Sequence, residues 1–311
     1  MATATPKVSA LHSSSSGAKF RAAVELILHV VLLGCATISI ITTVGIVLVL
    51  FIESLQFFRE VSVWEFLTGT KWSPLLKPQH FGILPLFCGT LLVTAGSAII
   101  AIPIGLGTAI FLSEYASSGF RDVVKPLLEI LAGIPSVVFG YLAVVFISPL
   151  IRDIFPNADL FNAANASVVV GFMILPTIVS ISEDVLRSVP RSLREAAYAL
   201  GATKLDVTVG VVVPAAASGI MASFLLAIAR AIGETMAVAL AAGATPKMTL
   251  NPLESIQTMT AYIVQVSQGD TPAGSKEYHT IFAVGLALFT LTLILNVFAQ
   301  WILTRVREKY E

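Results

Sequence analysis

The residues with chemistry to offer fall into two groups. Arg230 and Glu234 are four apart inside a run from Val207 to Pro246 that carries no other charge. That spacing is one helical turn and puts both on one face of a helix. Arginine presents a planar fork of donors that matches an oxyanion, and a carboxylate one turn away can hold the fork while no anion is there. Three readings of the pair stay open: a salt bridge that only joins helices, a contact from Arg230 to a passing anion, and a proton relay at Glu234. The second group is the densest run of charge in the chain: Glu183, Asp184, Arg187, Arg191, Arg194, Glu195, Lys204 and Asp206. Its middle, Ser188 to Gly201, reads as a short helix, with Pro190 in a first turn and Gly201 free to take the left-handed backbone that closes a helix. Leu193, Ala196, Ala197 and Leu200 recur three and four apart and give one apolar stripe on a charged helix. Such a helix is expected to dock, either in a partner's groove or flat against lipid headgroups.

Other chemistry is missing. His12, His29, His80 and His279 are scattered, with no His-x-x-x-His pair and no nucleophile elbow. Cys35 and Cys88 lie in separate apolar runs, which suggests neither a disulfide framework nor a zinc site. Gly201-Ala202-Thr203-Lys204 lacks the earlier glycine of a phosphate-cradling loop. The chain is therefore expected to bind no cofactor and not to hold ATP in that way.

The elements that position these residues follow from composition. Of 311 residues, 56% are hydrophobic and 12% charged, against about 25% charged in a soluble domain. This composition belongs in a membrane. Lys and Arg number 19, as do Asp and Glu, so no basic excess exists to neutralise a nucleic acid. A bilayer core needs roughly 20 apolar residues per helix, and six runs qualify, at about 22–52, 82–113, 127–151, 160–182, 215–242 and 280–304. They are too long and unbroken for barrel strands. A charge at bilayer depth costs on the order of 2.5 to 3.5 kcal/mol or more, so Arg230 and Glu234 are expected to face a protein interior.

Positive residues beside the spans set orientation. With a cytoplasmic N-terminus, twelve fall inside and six outside, Arg230 being intramembrane. Both termini are thus expected in the cytoplasm. Residues 1–21 are small and polar and read as a disordered tail; 303–311 form a second cytoplasmic tail. Segment 53–80 is expected outside, with Trp64 and Trp72 at the interface. So is Gly243 to His279, with a short helix around Leu253 to Val266. Leu32-Leu33-Gly34-Cys35 is similar to a lipoprotein signal, but the apolar run continues well past the cysteine. Asn165-Ala166-Ser167 matches a glycosylation triplet that abuts a span and is discounted.

Within the charged loop, Glu195-Ala196-Ala197, three residues, Gly201, nine residues, then Val211-Val212-Val213-Pro214 resembles the EAA loop of ABC importer permeases. Val211 and Val213 replace the usual Ile and Leu. The segments Ala101 to Gly107, Ala132 to Gly140, Ala229 to Met236 and Asn251 to Thr260 extend the likeness to permease subunits of phosphate-specific ABC importers. The resemblance implies an all-α polytopic protein of six spans with the type I (MetI-like) permease fold over residues 81–302, in a bacterial inner membrane. It implies a cytoplasmic coupling helix within 183–214, in which Arg191, Arg194, Glu195, Ala196, Ala197, Gly201 and Pro214 serve a separate, ATP-consuming ATPase dimer. Gly201 would turn the backbone where a side chain would clash. A second, similar permease and an extracytoplasmic phosphate-binding protein would complete the importer, and Arg230 and Glu234 would line the path. Permeases for molybdate, sulfate or phosphonate share the loop, and an ATP-independent secondary transporter is the remaining alternative. Pro85, Pro103, Gly105, Gly107, Gly133, Pro135 and Pro176 lie in the spans either for close packing or as hinges.

Overall fold

Among residues 15–306, which the computed structural model describes, five helices are long and apolar enough to cross a bilayer. These are Val24–Glu60, Leu84–Tyr115, Ser136–Ile154, Ala163–Ser188 and Lys276–Arg305; the pair Lys204–Ala215 and Ala217–Ile232, bent by 68°, makes a sixth if taken together.

Residues up to Ile52 form one unit and Glu53–Glu311 a second. The described part of the first is helix α1, Ser15–Glu60, as far as Ile52. Its side chains are apolar and exposed, as at Leu26, Leu32 and Ile41, the surface of a helix made for lipid. The expected tail is corrected here: Ser15 to Arg21 are the first turns of α1, because Ala18, Lys19 and Arg21 are good helix formers that extend a helix already nucleated. Residues 1–14 and 307–311 of the two expected tails lie outside the described residues. Cys35 stands exposed within this unbroken helix.

The second unit is built on α3, Leu84–Ile110, and α7, Ala163–Ser188. They run parallel and close. A Cβ on Gly96 would fall 2.4 Å from Ser167 Oγ, and one on Gly105 would fall 2.7 Å from Ile178 Cγ2. These glycines therefore serve backbone approach, whereas Gly107 and Gly133 have open space beside them. Between α3 and α7 the chain returns through α4, Ser118–Gly133, α5, Ser136–Leu142, and α6, Ser148–Ile154. The expected 127–151 span is thus two pieces, broken at Ile134 and Pro135, where extended backbone (Pro135 ψ 137°) precedes α5.

Helix α11, Ala217–Ile232, runs antiparallel to α7, joined by the buried Ser182 and Ser223 hydroxyls at 2.8 Å. It follows the short α8, Arg191–Ala199, α9, Lys204–Val207, and α10, Val213–Ala215. Two wide turns have a common cause. Ser148 N–H reaches back five residues to Ala143 O, and Val213 N–H reaches back five to Thr208 O. A proline, Pro149 or Pro214, comes next in each case; it lacks a donor and its ring crowds the preceding turn, and widening the helix by a residue relieves this. The expected 215–242 helix is also corrected: it stops at Ile232 and restarts as α12, Met236–Ala241.

At the far end, α1 continues to Glu60, followed by α2, Val63–Thr68, and a two-stranded ladder of β1, Trp72–Ser73, and β2, His80–Phe81. Trp72 is buried, edge-on to Tyr262 at 4.9 Å, rather than at a lipid interface as expected; Trp64 is the exposed one. Tyr262 belongs to α13, Met259–Gln268, which starts six residues later than expected because carbonyls of 252–254 accept bonds from Asp159, Ala163 and Ala164 at the head of α7. Helix α14, Lys276–Val306, ends the described chain.

Candidate functional site

The short helix of the charged loop forms where the sequence puts it. Pro190 precedes it in extended backbone (φ −55°, ψ 137°). It closes at Gly201, φ +82°, with Gly201 N–H donating to Tyr198 O at 2.9 Å and Ala202 N–H to Ala197 O at 3.2 Å, the two crossed bonds of a Schellman close. Nothing lies within 4 Å of where a Gly201 Cβ would be. The residue is therefore required for its left-handed backbone and not to avoid a clash inside the chain. Thr203 and Asp206 then cap α9 reciprocally. The Thr203 hydroxyl and N–H, both bonded to the Asp206 carboxylate, hold it below its ordinary value of 3.8.

Burial divides the apolar stripe. Leu193 and Ala197 pack against a core that includes Ala109, Leu186, Val212 and Ile220. Ala196 is exposed, and Leu200 is 90% exposed. Arg191, Glu195, Tyr198, Leu205 and Val209 are exposed as well. The charges divide too. Arg191 and Glu195 point out. Arg194 points in: its Nη2 donates to Glu114 Oε1 at 3.1 Å and to Leu186 O at 2.8 Å. Arg194, expected to meet a partner protein, thus engages the ends of α3 and α7 through one of its terminal nitrogens. Pro214 is exposed beyond the second wide turn.

Between α4 and α7 sits a charge cluster whose burial the sequence did not reveal. Glu183, on α7, is 1% exposed and faces Lys125 Nζ at 3.0 Å, Arg187 Nη1 at 3.4 Å and Arg121 Nε at 3.9 Å. Lys125 also donates to Asp184 at 2.6 Å, and this bond, with help from Glu183 and against burial, raises it above its ordinary 10.5. A cavity of about 260 Å³ opens beside the cluster between α4 and α7.

Arg230 and Glu234 are not brought together. Arg230, exposed, donates from Nη1 to Thr177 Oγ1 on α7 at 3.1 Å. Glu234 stands in the break after α11, where its Oε1 accepts from Ala237 N–H at 3.2 Å and its carbonyl accepts from the Thr260 hydroxyl at 2.8 Å. Among the described residues no ion pair joins the two, since a helix that ends at Ile232 no longer stacks them one turn apart. Sequence reasoning also missed Glu114, Thr177 and the role of Glu183. The one signal for Glu114 is that it is the first charge after the uncharged run 82–113.

Comparison with known proteins sets this geometry in context. A family profile described as "Binding-protein-dependent transport system inner membrane component" matches residues 101–308. A "Probable ABC transporter permease protein YqgH" of Bacillus subtilis is 36% identical over 89% of this chain and 90% of its own length. A "Phosphate transport system permease protein PstC" of Mesorhizobium japonicum is 31% identical over 91% of this chain and 90% of its own. Among solved structures, a bacterial alginate ABC transporter in complex with an alginate-bound periplasmic protein superposes with TM-score 0.65 at 16% identity, covering 91% of this chain and 95% of that one. An inward-facing MetNI methionine ABC transporter gives TM-score 0.55 at 18% identity over 73% and 98%. The two structures speak to the fold alone.

Proposed function

This chain belongs to the family of binding-protein-dependent transport system inner membrane components, and as an ABC importer permease of the type I fold it is read further: we propose that it forms, with a second permease, the path by which inorganic phosphate is taken up. The observation that carries the coupling half of this reading is the short helix α8 itself, with Arg191 and Glu195 exposed along it, Leu200 exposed at its end and Gly201 closing it in left-handed backbone. Such a helix suits a groove on a foreign protein. The chain has no phosphate-cradling loop of its own, so the groove is assigned to a separate ATPase dimer that binds and hydrolyses ATP. This puts the α8 side, and both termini, in the cytoplasm. The opposite side, with exposed Trp64, Leu76 and Leu250, then receives an extracytoplasmic phosphate-binding protein.

Phosphate is supported by the relative named for phosphate transport and by Arg230, an exposed donor fork on a spanning helix. A second reading, another oxyanion such as molybdate, sulfate or phosphonate, is favoured by the Bacillus subtilis relative, whose name specifies no cargo. The complex of this chain with second permease, ATPase and binding protein, reconstituted in liposomes, is expected to hydrolyse ATP faster with phosphate than with those anions. Stimulation by one of them and not by phosphate transfers the assignment to that anion. Gly201→Asp is expected to leave the complex assembled, since aspartate tolerates left-handed backbone better than most side chains, but to uncouple hydrolysis from uptake, because the new carboxylate would stand on the docking face. Unchanged uptake in that variant would sink the coupling reading.

A further inference from the structure

The strongest unassigned feature is the inward side of α8. A helix gripped from outside transmits nothing unless it is fixed to the spans behind it. Its apolar contacts there are small: Leu193 and Ala197 against Ala109, Leu186 and neighbours. Such contacts have no preferred direction. The directional contact is Arg194, whose single Nη2 bonds both Glu114 Oε1 and Leu186 O. Arg194 and Glu114 are both largely sequestered, at 18% and 8% side-chain exposure, so the pair is little screened. Glu114 Oε1 also accepts from the Ser113 hydroxyl at 2.9 Å, which holds the carboxylate in place.

The position of Glu114 is itself built. It lies in a wide turn, Phe111–Tyr115, closed by Ala116 N–H to Phe111 O at 2.8 Å. One extra residue in a helix rotates every later side chain by about 100°, so this turn fixes where around the α3 axis the carboxylate stands. A second, weaker tie crosses the same gap, with Lys204 Nζ 4.7 Å from the Tyr115 ring centre.

We infer that Arg194 and Glu114 form a strut that fixes the coupling helix to the ends of α3 and α7, so that a push on α8 moves both spans as one body; both are positioning residues. This deepens the coupling reading proposed above and rests on it. It also explains why an arginine beside the Glu-Ala-Ala run faces away from the surface that docks.

The test uses the full complex in proteoliposomes. With Arg194→Gln or Glu114→Gln, the ATP hydrolysed per phosphate imported is expected to rise roughly tenfold, within the range of measured coupling free energies. Arg194→Lys, which keeps one charged donor, is expected to fall between these variants and wild type. Arg191→Gln removes a charge of the same sign from the outward face and tests docking instead. Spin labels at exposed Ala199 and Phe111 in an otherwise wild-type complex are expected to keep a constant separation across the nucleotide cycle. A separation that changes with nucleotide overturns the strut, whether or not the charge variants assemble; so does wild-type import per ATP in both single variants. A wild-type complex that hydrolyses ATP without importing phosphate would sink the substrate assignment alone, since the label separation reads the strut without any substrate.

Discussion

Glu183 is a carboxylate held at 1% exposure by three cations. The cations themselves keep 16–52% side-chain exposure, so removing Glu183 costs its charged hydrogen bonds rather than stranding a buried charge. Glu183→Ala is therefore expected to destabilise the chain by on the order of 2 kcal/mol, read as a lower unfolding temperature of the detergent-solubilised protein. Asp184→Ala, at the exposed end of the Lys125 contact, is expected to lie within about 1 kcal/mol of wild type. Equal effects from the two would mean that enclosure of Glu183 has no energetic weight. The direction of the Lys125 shift adds a pH condition. A raised folded value means that its contribution is complete below the ordinary 10.5 and lost only as pH climbs through the higher folded value, so this contact is expected to be insensitive to pH from about 6 to 9.

Helix α8 shows both what periodicity reveals and what it leaves out. Apolar residues three and four apart, with Pro190 and Gly201 as punctuation, were enough to place the element. They did not say how far the buried part of the stripe extends: Leu193 and Ala197 pack inward, while Leu200, seven residues from Leu193 and so on the same face, is exposed because it caps the helix past its last turn. The broken span was less legible still. Gly233 inside an apolar helical pattern is tolerated at about 1 kcal/mol, so nothing local announces a break. What makes the break stable is distant: Thr260 donates to Glu234 O, and Gly140 lets α5 come within contact of Ala237 and Leu240 on α12. The turn from α8 to α9 depends on a local device instead. Thr203→Ala is expected to cost about 1 kcal/mol of helix-start stability, visible as faster amide exchange over 204–212 with α7 unchanged. Because the Asp206 carboxylate is held low, this cap is complete above the ordinary 3.8 and lost as pH falls through its folded value. Protection that is identical in the variant would show that packing alone holds the start of α9.

For the whole molecule, composition and run length made a membrane protein of five or six spans legible, and spacing made the short helix α8 legible. The proposed path was not, because a path between two permeases would be lined by side chains that one chain leaves exposed. Arg230 is an exposed residue of this kind on the proposed reading, bonded only to Thr177 among the described residues. A charge left facing lipid would cost on the order of 2.5 kcal/mol or more, so assembly with the second permease is expected to cover it or to enclose it in a wet path. Glu234 is differently placed, with its carboxylate already engaged as a cap on α12. The three readings of this pair then predict different outcomes for uptake by the assembled complex. Glu234→Gln keeps an oxygen for Ala237 N–H and is expected to import phosphate normally. A proton relay would instead lose import in this variant. Exchanging the two residues, Arg230→Glu with Glu234→Arg, would restore a simple salt bridge. It is expected to abolish import here, because the exchange removes the donor fork facing Thr177 and replaces the cap with a cation at a helix start. Import rescued by the exchange would show that the pair is a bridge in the assembled transporter and that Arg230 does not touch the anion.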